Sequence, residues 1–255
     1  MRQLPKVWDT DYEAIYQRDI NEYIPNYLEK LSDTSRRDRV SIALMLSNFI
    51  AETGILEWHL YERQDKYFMR MTESAQYATQ ANQMRIEKLP QAKLGGIEDA
   101  MFYALCSGQE QIVRDYYNFV DDHFDYKEKP TKHPAPWLYR SLVVLATGRY
   151  EQEMDGFLEK LIAGYSTKTW SKLMPLGLML EAIWHNKIEQ FHAAVEQIAK
   201  DHKRMIWTRY YDGGIKYEVL SIRAIAICQL ARLRGMKIEF DHPYIPKELI
   251  GPPVL

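Results

Sequence analysis

The sequence predicts an all-α protein, a multi-helix bundle of antiparallel helix pairs with α-solenoid-like helical hairpin repeats. Three observations carry that prediction. Between Asn26 and Leu89 there is no proline and one glycine, Gly54, a stretch too long for an antiparallel sheet, which needs turn signals every ~8–12 residues. Within it, apolar residues recur at helical spacing. Further on, three segments repeat the order apolar helix, short polar turn, amphipathic helix. At 255 residues, the chain reads as one domain, with long helices over 1–95 and helical hairpins, a long last helix and a proline-anchored tail over 96–255.

Taken in order, Asp9 or Thr10 can cap a first helix through Ile15, Tyr16, Ile20, Tyr23 and Ile24, which Pro25 kinks or interrupts. Ser32-Asp33-Thr34-Ser35 offers N-caps for the next helix, where Ile42, Met45, Leu46, Phe49 and Ile50 form one buried face. A helix from about Tyr61 to Lys88 sets Tyr67, Phe68, Met71, Ala75, Ala78 and Ala81 along one side, and Trp58-His59 reads as a partly buried helix face. Breakers then cluster at Pro90–Gly96, Pro130–Pro136 and Asp212–Gly214, which predicts loops there.

The repeated segments are Ala100–Glu110, Ser141–Glu151 and Leu178–Glu189. Their turn residues Gly108, Gly148 and Asn186 lie 40 and 38 positions apart, a spacing within the range of helix-pair repeats. Glycine and asparagine tolerate the left-handed conformation that closes a helix. Near the end, Tyr217–Gly235 is strongly periodic, with Arg232 and Arg234 suited to the helix dipole and Gly235 to the C′ position.

Composition narrows the function. Lys and Arg number 33 against 35 Asp and Glu, a formal charge of −2, and no basic patch stands out, which argues against a nucleic-acid binder. Cys106 and Cys228 sit in apolar helical runs and read as buried, reduced thiols. The start, Met1-Arg2-Gln3-Leu4-Pro5-Lys6, is charged with no apolar stretch behind it, and the uninterrupted apolar runs fall short of the ~20 residues of a membrane span. The expected location is the cytoplasm, with no membrane partner.

Chemistry is sparse. Gly95-Gly96 and Gly213-Gly214 match no phosphate-binding loop, and no G-x-S-x-G elbow is present. Glu189-Gln190-Phe191-His192 is a single Glu-x-x-His unit, whereas a di-iron bundle needs two, and the turn at Asn186 puts His185 and His192 on different helices. No catalytic residue, metal site or cofactor is assigned. The distinctive stretch is Asp115–Glu128, which interleaves acidic and aromatic residues and whose only basic residue after Asp115 is Lys127. Aromatics anchor interfaces, and clustered carboxylates steer a basic partner. The candidate contacts are Asp115, Asp121, Asp122, Asp125 and Glu128 as charges, with Tyr116, Tyr117 and Tyr126 as anchors. The same spacing also fits an ordinary amphipathic helix, with Tyr116, Phe119, Val120 and Phe124 in the core and Asp115, Asp122 and Asp125 solvated. The chain's 18 tyrosines suit surfaces that alternate between wet and bound.

After the last periodic helix comes Pro243-Tyr244-Ile245-Pro246-Lys247-Glu248-Leu249. This Pro-Tyr-x-Pro-x-x-Leu ending resembles that of helical bacterial immunity proteins, namely the immunity protein 49 family and the similar PoNi-type proteins. The hairpin turns followed by Glu110, Glu151 and Glu189, and the aromatic- and alanine-rich stretch from Trp58 to Ala81, are similar to the middle and N-terminal parts of those families. The resemblance implies a cytoplasmic antitoxin that binds the toxin domain of a polymorphic toxin system, such as type VI secretion, and blocks it without catalysis. It carries over no toxin-binding residue. The prolines are expected to hold an extended tail on the bundle, with the Tyr244 hydroxyl bonded to backbone. Two other readings stay open: a helical-repeat scaffold or regulator binding a host peptide, and a metal-dependent helical-bundle enzyme using Glu181, Glu189 and His192.

Overall fold

A computed structural model describes residues 10–88, 97–123, 133–207 and 219–251. The described residues are helical apart from turns, an extended tail and one isolated antiparallel bridge between His242 and Ile245. The helices are α1 (Tyr12–Arg18), α2 (Ile24–Ser32), α3 (Arg39–Tyr61), α4 (Gln64–Lys88), α5 (Ile97–Cys106), α6 (Glu110–His123), α7 (Ala135–Thr147), α8 (Met154–Tyr165), α9 (Met174–Trp184), α10 (Ile188–Trp207) and α11 (Ile222–Leu233).

Local chemistry explains where they begin and end. Asp11, rather than Asp9 or Thr10, caps α1 by accepting the Ala14 N–H at 3.0 Å. The expected break at Pro25 is a π-helical turn, Asp19–Tyr23, after which Pro25 occupies the first turn of α2, where its missing N–H costs nothing. Asp33 folds its carboxylate onto Ser35 (2.6 and 3.0 Å) instead of capping α3, which starts only at Arg39. α3 runs on to Tyr61 and stops because Glu62 turns left-handed (φ 56°), so the second long helix starts at Gln64 rather than Tyr61.

The α3–α4 hairpin is the longest packed pair. Its contact is close because of small residues: the Ser47 and Ser74 hydroxyls each donate to the other's backbone carbonyl at 2.8 Å, and a Cβ at Gly54 would lie 2.7 Å from Arg70 Cβ. By length and hydropathy α3 also passes as a membrane span, with mean hydropathy 1.3, and 61% of that window is buried in this protein. It is a core helix, which the short uninterrupted runs in the sequence understated. The expected face of α4 (Tyr67, Phe68, Met71, Ala75, Ala78, Ala81) is buried, and that of α3 holds at Ile42, Leu46 and Ile50 but leaves Met45 44% exposed.

Among the described residues, buried apolar side chains fall into two clusters. A small one joins α2, the first half of α3 and the end of α4 through Ile24, Leu31, Ile42, Ala43, Leu46, Ile50 and Ala81. A large one takes in the second half of α3 through Ala51 and Ile55, α4 through α11, and the tail. The three expected turns are present, with positive φ at Gly108 (66°), Gly148 (76°) and Asn186 (53°), and Gly235 closes α11 at 86°. Successive helices from α5 to α10 pack on one another, and α11 lies against both α5 and α9, so it returns to the start of that series.

Beyond Gly235 the tail is strapped down. Gln229, fully buried on α11, donates its amide to the carbonyls of Leu249 and Gly251 (both 3.0 Å), and Gln64 at the start of α4 donates to the Glu248 carbonyl. The Tyr244 carbonyl accepts from Ser221 N–H at 2.9 Å. Its hydroxyl, expected to bond backbone, is buried without a hydrogen-bond partner among the described residues. Cys106 and Cys228 are buried free thiols as expected, and burial pushes the Cys106 thiol up to about 12.

Candidate partner-binding site

α6 is strongly amphipathic, and this sorts its residues. Val113, Tyr116, Tyr117 and Val120 face the core, with Tyr116 2% and Tyr117 0% exposed, and the Tyr117 hydroxyl donates to the Met101 carbonyl at 3.1 Å. Tyr116 and Tyr117 are therefore corrected from interface anchors to core residues. An aromatic ring and a hydroxyl cannot reach a partner from inside the bundle without unfolding α6, and burial drives both hydroxyls far above their ordinary pKa. The alternative reading of this helix fits what is seen: Tyr116 and Val120 inside, Phe119 half-buried, Asp115 and Asp122 in solvent. Phe124, Asp125, Tyr126 and Glu128 lie outside the described residues.

The charges also differ from expectation. Asp115 is exposed and accepts from Gln111 Nε2 at 2.7 Å. Asp121 and Asp122 share one cation, Arg149, whose Nη1 lies 2.8 Å from Asp121 Oδ2 and 2.9 Å from Asp122 Oδ1. The Asp121 side chain is 4% exposed and that of Asp122 57%. Asp121 thus serves as a linchpin between α6 and the α7–α8 turn, while Asp122 keeps an open side. The acidic run looked unopposed along the sequence because its counter-charge arrives from 28 residues on.

That turn supplies a residue the sequence reading missed. Tyr150 is left-handed (φ 61°, ψ 30°) and 47% exposed. A bulky residue rarely adopts this conformation without support from its surroundings. Its hydroxyl is pushed above the usual tyrosine pKa by the neighbouring Asp121 charge, by partial burial and by a hydrogen bond to that carboxylate. Next to it Glu151, Gln152, Glu153 and Asp155 are exposed, and Glu151 faces Arg234 at 3.6 Å. Asp155 accepts from Trp184 Nε1 at 2.9 Å and lies 3.6 Å from His185 Nε2. The signal was present as Gly148-Arg149-Tyr150-Glu151, an aromatic immediately after a predicted turn.

Two further places bear on the other readings. Glu181 and His192 are half-buried and Glu189 is exposed, and among the described residues no three His, Cys, Asp or Glu side chains group closely enough to hold a metal ion. Between α2, α3 and α4 an open cleft of about 520 Å³ has apolar walls of Ile24, Leu28, Ile50 and Tyr77 and a polar rim including the Arg70–Glu73 ion pair.

Fold and surface together define an all-α protein that presents an exposed acidic and aromatic face on α6 and the α7–α8 turn. Its sequence fits the profile of the immunity protein 49 family over residues 55–249, most of the chain, and the chain belongs to that family. No curated protein and no solved structure matches it.

Proposed function

We propose that this chain is a cytoplasmic, non-enzymatic antitoxin that binds a cognate bacterial toxin domain, such as one delivered by type VI or another contact-dependent system, and blocks its active site. Family membership supports an immunity role. The observation that carries the contact face is exposed Tyr150 beside the Arg149–Asp121–Asp122 ion-pair cluster, in which Asp122 keeps an open side. An aromatic anchor beside carboxylates suits a basic cleft: the ring supplies buried area, and the charges speed encounter and exclude partners of like sign. Asp115, Glu151 and Glu153 extend the acidic rim, and Asp125, Tyr126 and Glu128 remain contacts proposed from the sequence alone.

The test is a triple variant, Asp115→Ala, Asp122→Ala and Tyr150→Ala, assayed for binding to the product of the adjacent toxin gene and for protection of cells. Loss of one hot-spot anchor weakens binding by ~30-fold or more, and the rim charges add to that. A folded triple variant with unchanged affinity and protection rejects this face.

A further inference from the structure

The C-terminal strap crosses the bundle on a row of rings. Phe240 stacks on His242 (centroids 6.3 Å, planes 20° apart), His242 lies 5.6 Å from Tyr244, and Tyr244 lies 4.4 Å from His202 of α10. Tyr244 is 5% and His202 4% exposed. The turn that carries Tyr244 inward is closed by His242 itself. Its Nδ1 accepts the Tyr244 N–H at 3.2 Å, while its backbone exchanges hydrogen bonds with Ile245 at 3.2 and 2.8 Å. Tyr244 then hands its carbonyl to Ser221 at the head of α11. A ring nitrogen that accepts a backbone N–H is unprotonated, so this geometry requires neutral His242.

We propose that His242 is a proton-sensitive latch: protonating it turns Nδ1 from an acceptor into a donor facing the Tyr244 N–H, which opens the turn and loosens the strap from α10 and α11. The proton adds to Nδ1, leaves both ring nitrogens as donors, and no bond other than the hydrogen bond is broken.

The ionisable surroundings fit. Among the described residues Asp241 is the carboxylate acting on His242, and its Oδ1 is engaged by the Lys247 N–H at 3.1 Å. Glu239 pairs with Lys237 and lies toward His192 of α10. His202, beside Asp201 on α10, and Tyr244, whose hydroxyl burial keeps above its ordinary pKa, are the other titratable groups on the ladder, and Ser221 of α11 is uncharged. Burial holds His242 below the ordinary histidine pKa, against the smaller opposing pull of Asp241. With the folded pKa depressed, the latch's contribution is complete above the unfolded value of about 6.5 and is lost as pH falls through the folded pKa.

The experiment is amide exchange on the full chain between pH 7.5 and 5, corrected for intrinsic rates, alongside a titration of the His242 Cε1–H resonance. The expected result is that protection of the Ile245 and Ser221 amides falls by about tenfold per pH unit between the unfolded and folded pKa values and levels off at the midpoint of the resonance. His242→Asn keeps an acceptor for the i+2 N–H and cannot titrate, so its protection should be flat across this range. His202→Gln should keep the wild-type response. Wild-type protection that does not change, a fall in His242→Asn equal to that of wild type, or a fall abolished by His202→Gln each overturns the latch. Should His242→Asn lack protection even at pH 7.5, the wild-type titration decides alone, and a fall that does not level off at the resonance midpoint overturns the latch.

Discussion

Glu57 near the end of α3 and Asp122 near the end of α6 are both carboxylates paired with an arginine, yet their surroundings give the pairs opposite uses. The Glu57 side chain is 5% exposed, accepts the Tyr16 hydroxyl at 2.5 Å and holds Arg63 at 3.2 Å. It joins α1, α3 and the turn before α4, and burial first, then the hydrogen bond to Glu57, drives the Tyr16 hydroxyl far above its ordinary pKa. Asp122 sits 57% exposed beside an arginine that a second carboxylate already holds. Removing the first strands buried groups, whereas removing the second leaves a solvated arginine with Asp121. The comparison separates a charge that builds the protein from a charge the protein can offer to a partner.

The comparison can be broken in four ways. Tyr117→Ala empties a fully buried aromatic position on the same helix as Asp122 and should cost about 4 kcal/mol in urea unfolding. A loss below about 1 kcal/mol would mean that the core face of α6 is not packed as described. Glu57→Ala should cost about 3 kcal/mol, because it leaves the Tyr16 hydroxyl without its acceptor in a desolvated site. Tyr150→Gly should raise stability by about 1 kcal/mol by relieving the left-handed conformation, while toxin binding falls. A variant that is stabilised and still binds would strip Tyr150 of its proposed role. Asp122→Ala should leave the unfolding free energy within the ~0.5 kcal/mol typical of surface changes, with the toxin on-rate and its salt dependence reduced.

The helices were legible because their apolar periods are strong and their turns use residues with few alternatives: Gly108, Gly148 and Asn186 all adopt the left-handed conformation their types allow. Boundaries were less legible where a residue acted against its type, as when Glu62 turned left-handed and ended α3. The binding face was only half readable. Mixed Asp and Tyr in α6 mark an amphipathic helix, but a period of 3.6 does not say which stripe faces inward, and Tyr116 and Tyr117 went to the core because ring area outweighs one hydroxyl. Arg149 and Tyr150 could not be joined to that helix from the sequence, since their meeting with Asp121 is set by how the α7–α8 turn packs on α6.

Gly54 has a wider consequence. The profile shared with the family begins at residue 55, so the hydrogen atom that stands where other residues carry a Cβ lies at the border between the shared body and the N-terminal helices. A methyl group there would act as a wedge against Arg70, swinging the first half of α3 and everything docked on it outward like a door on its hinge. In a mutational tolerance map, the N-terminal helices should accept broad change on their outer faces and almost none at position 54, because a single missing side chain sets the angle at which they meet the rest of the molecule.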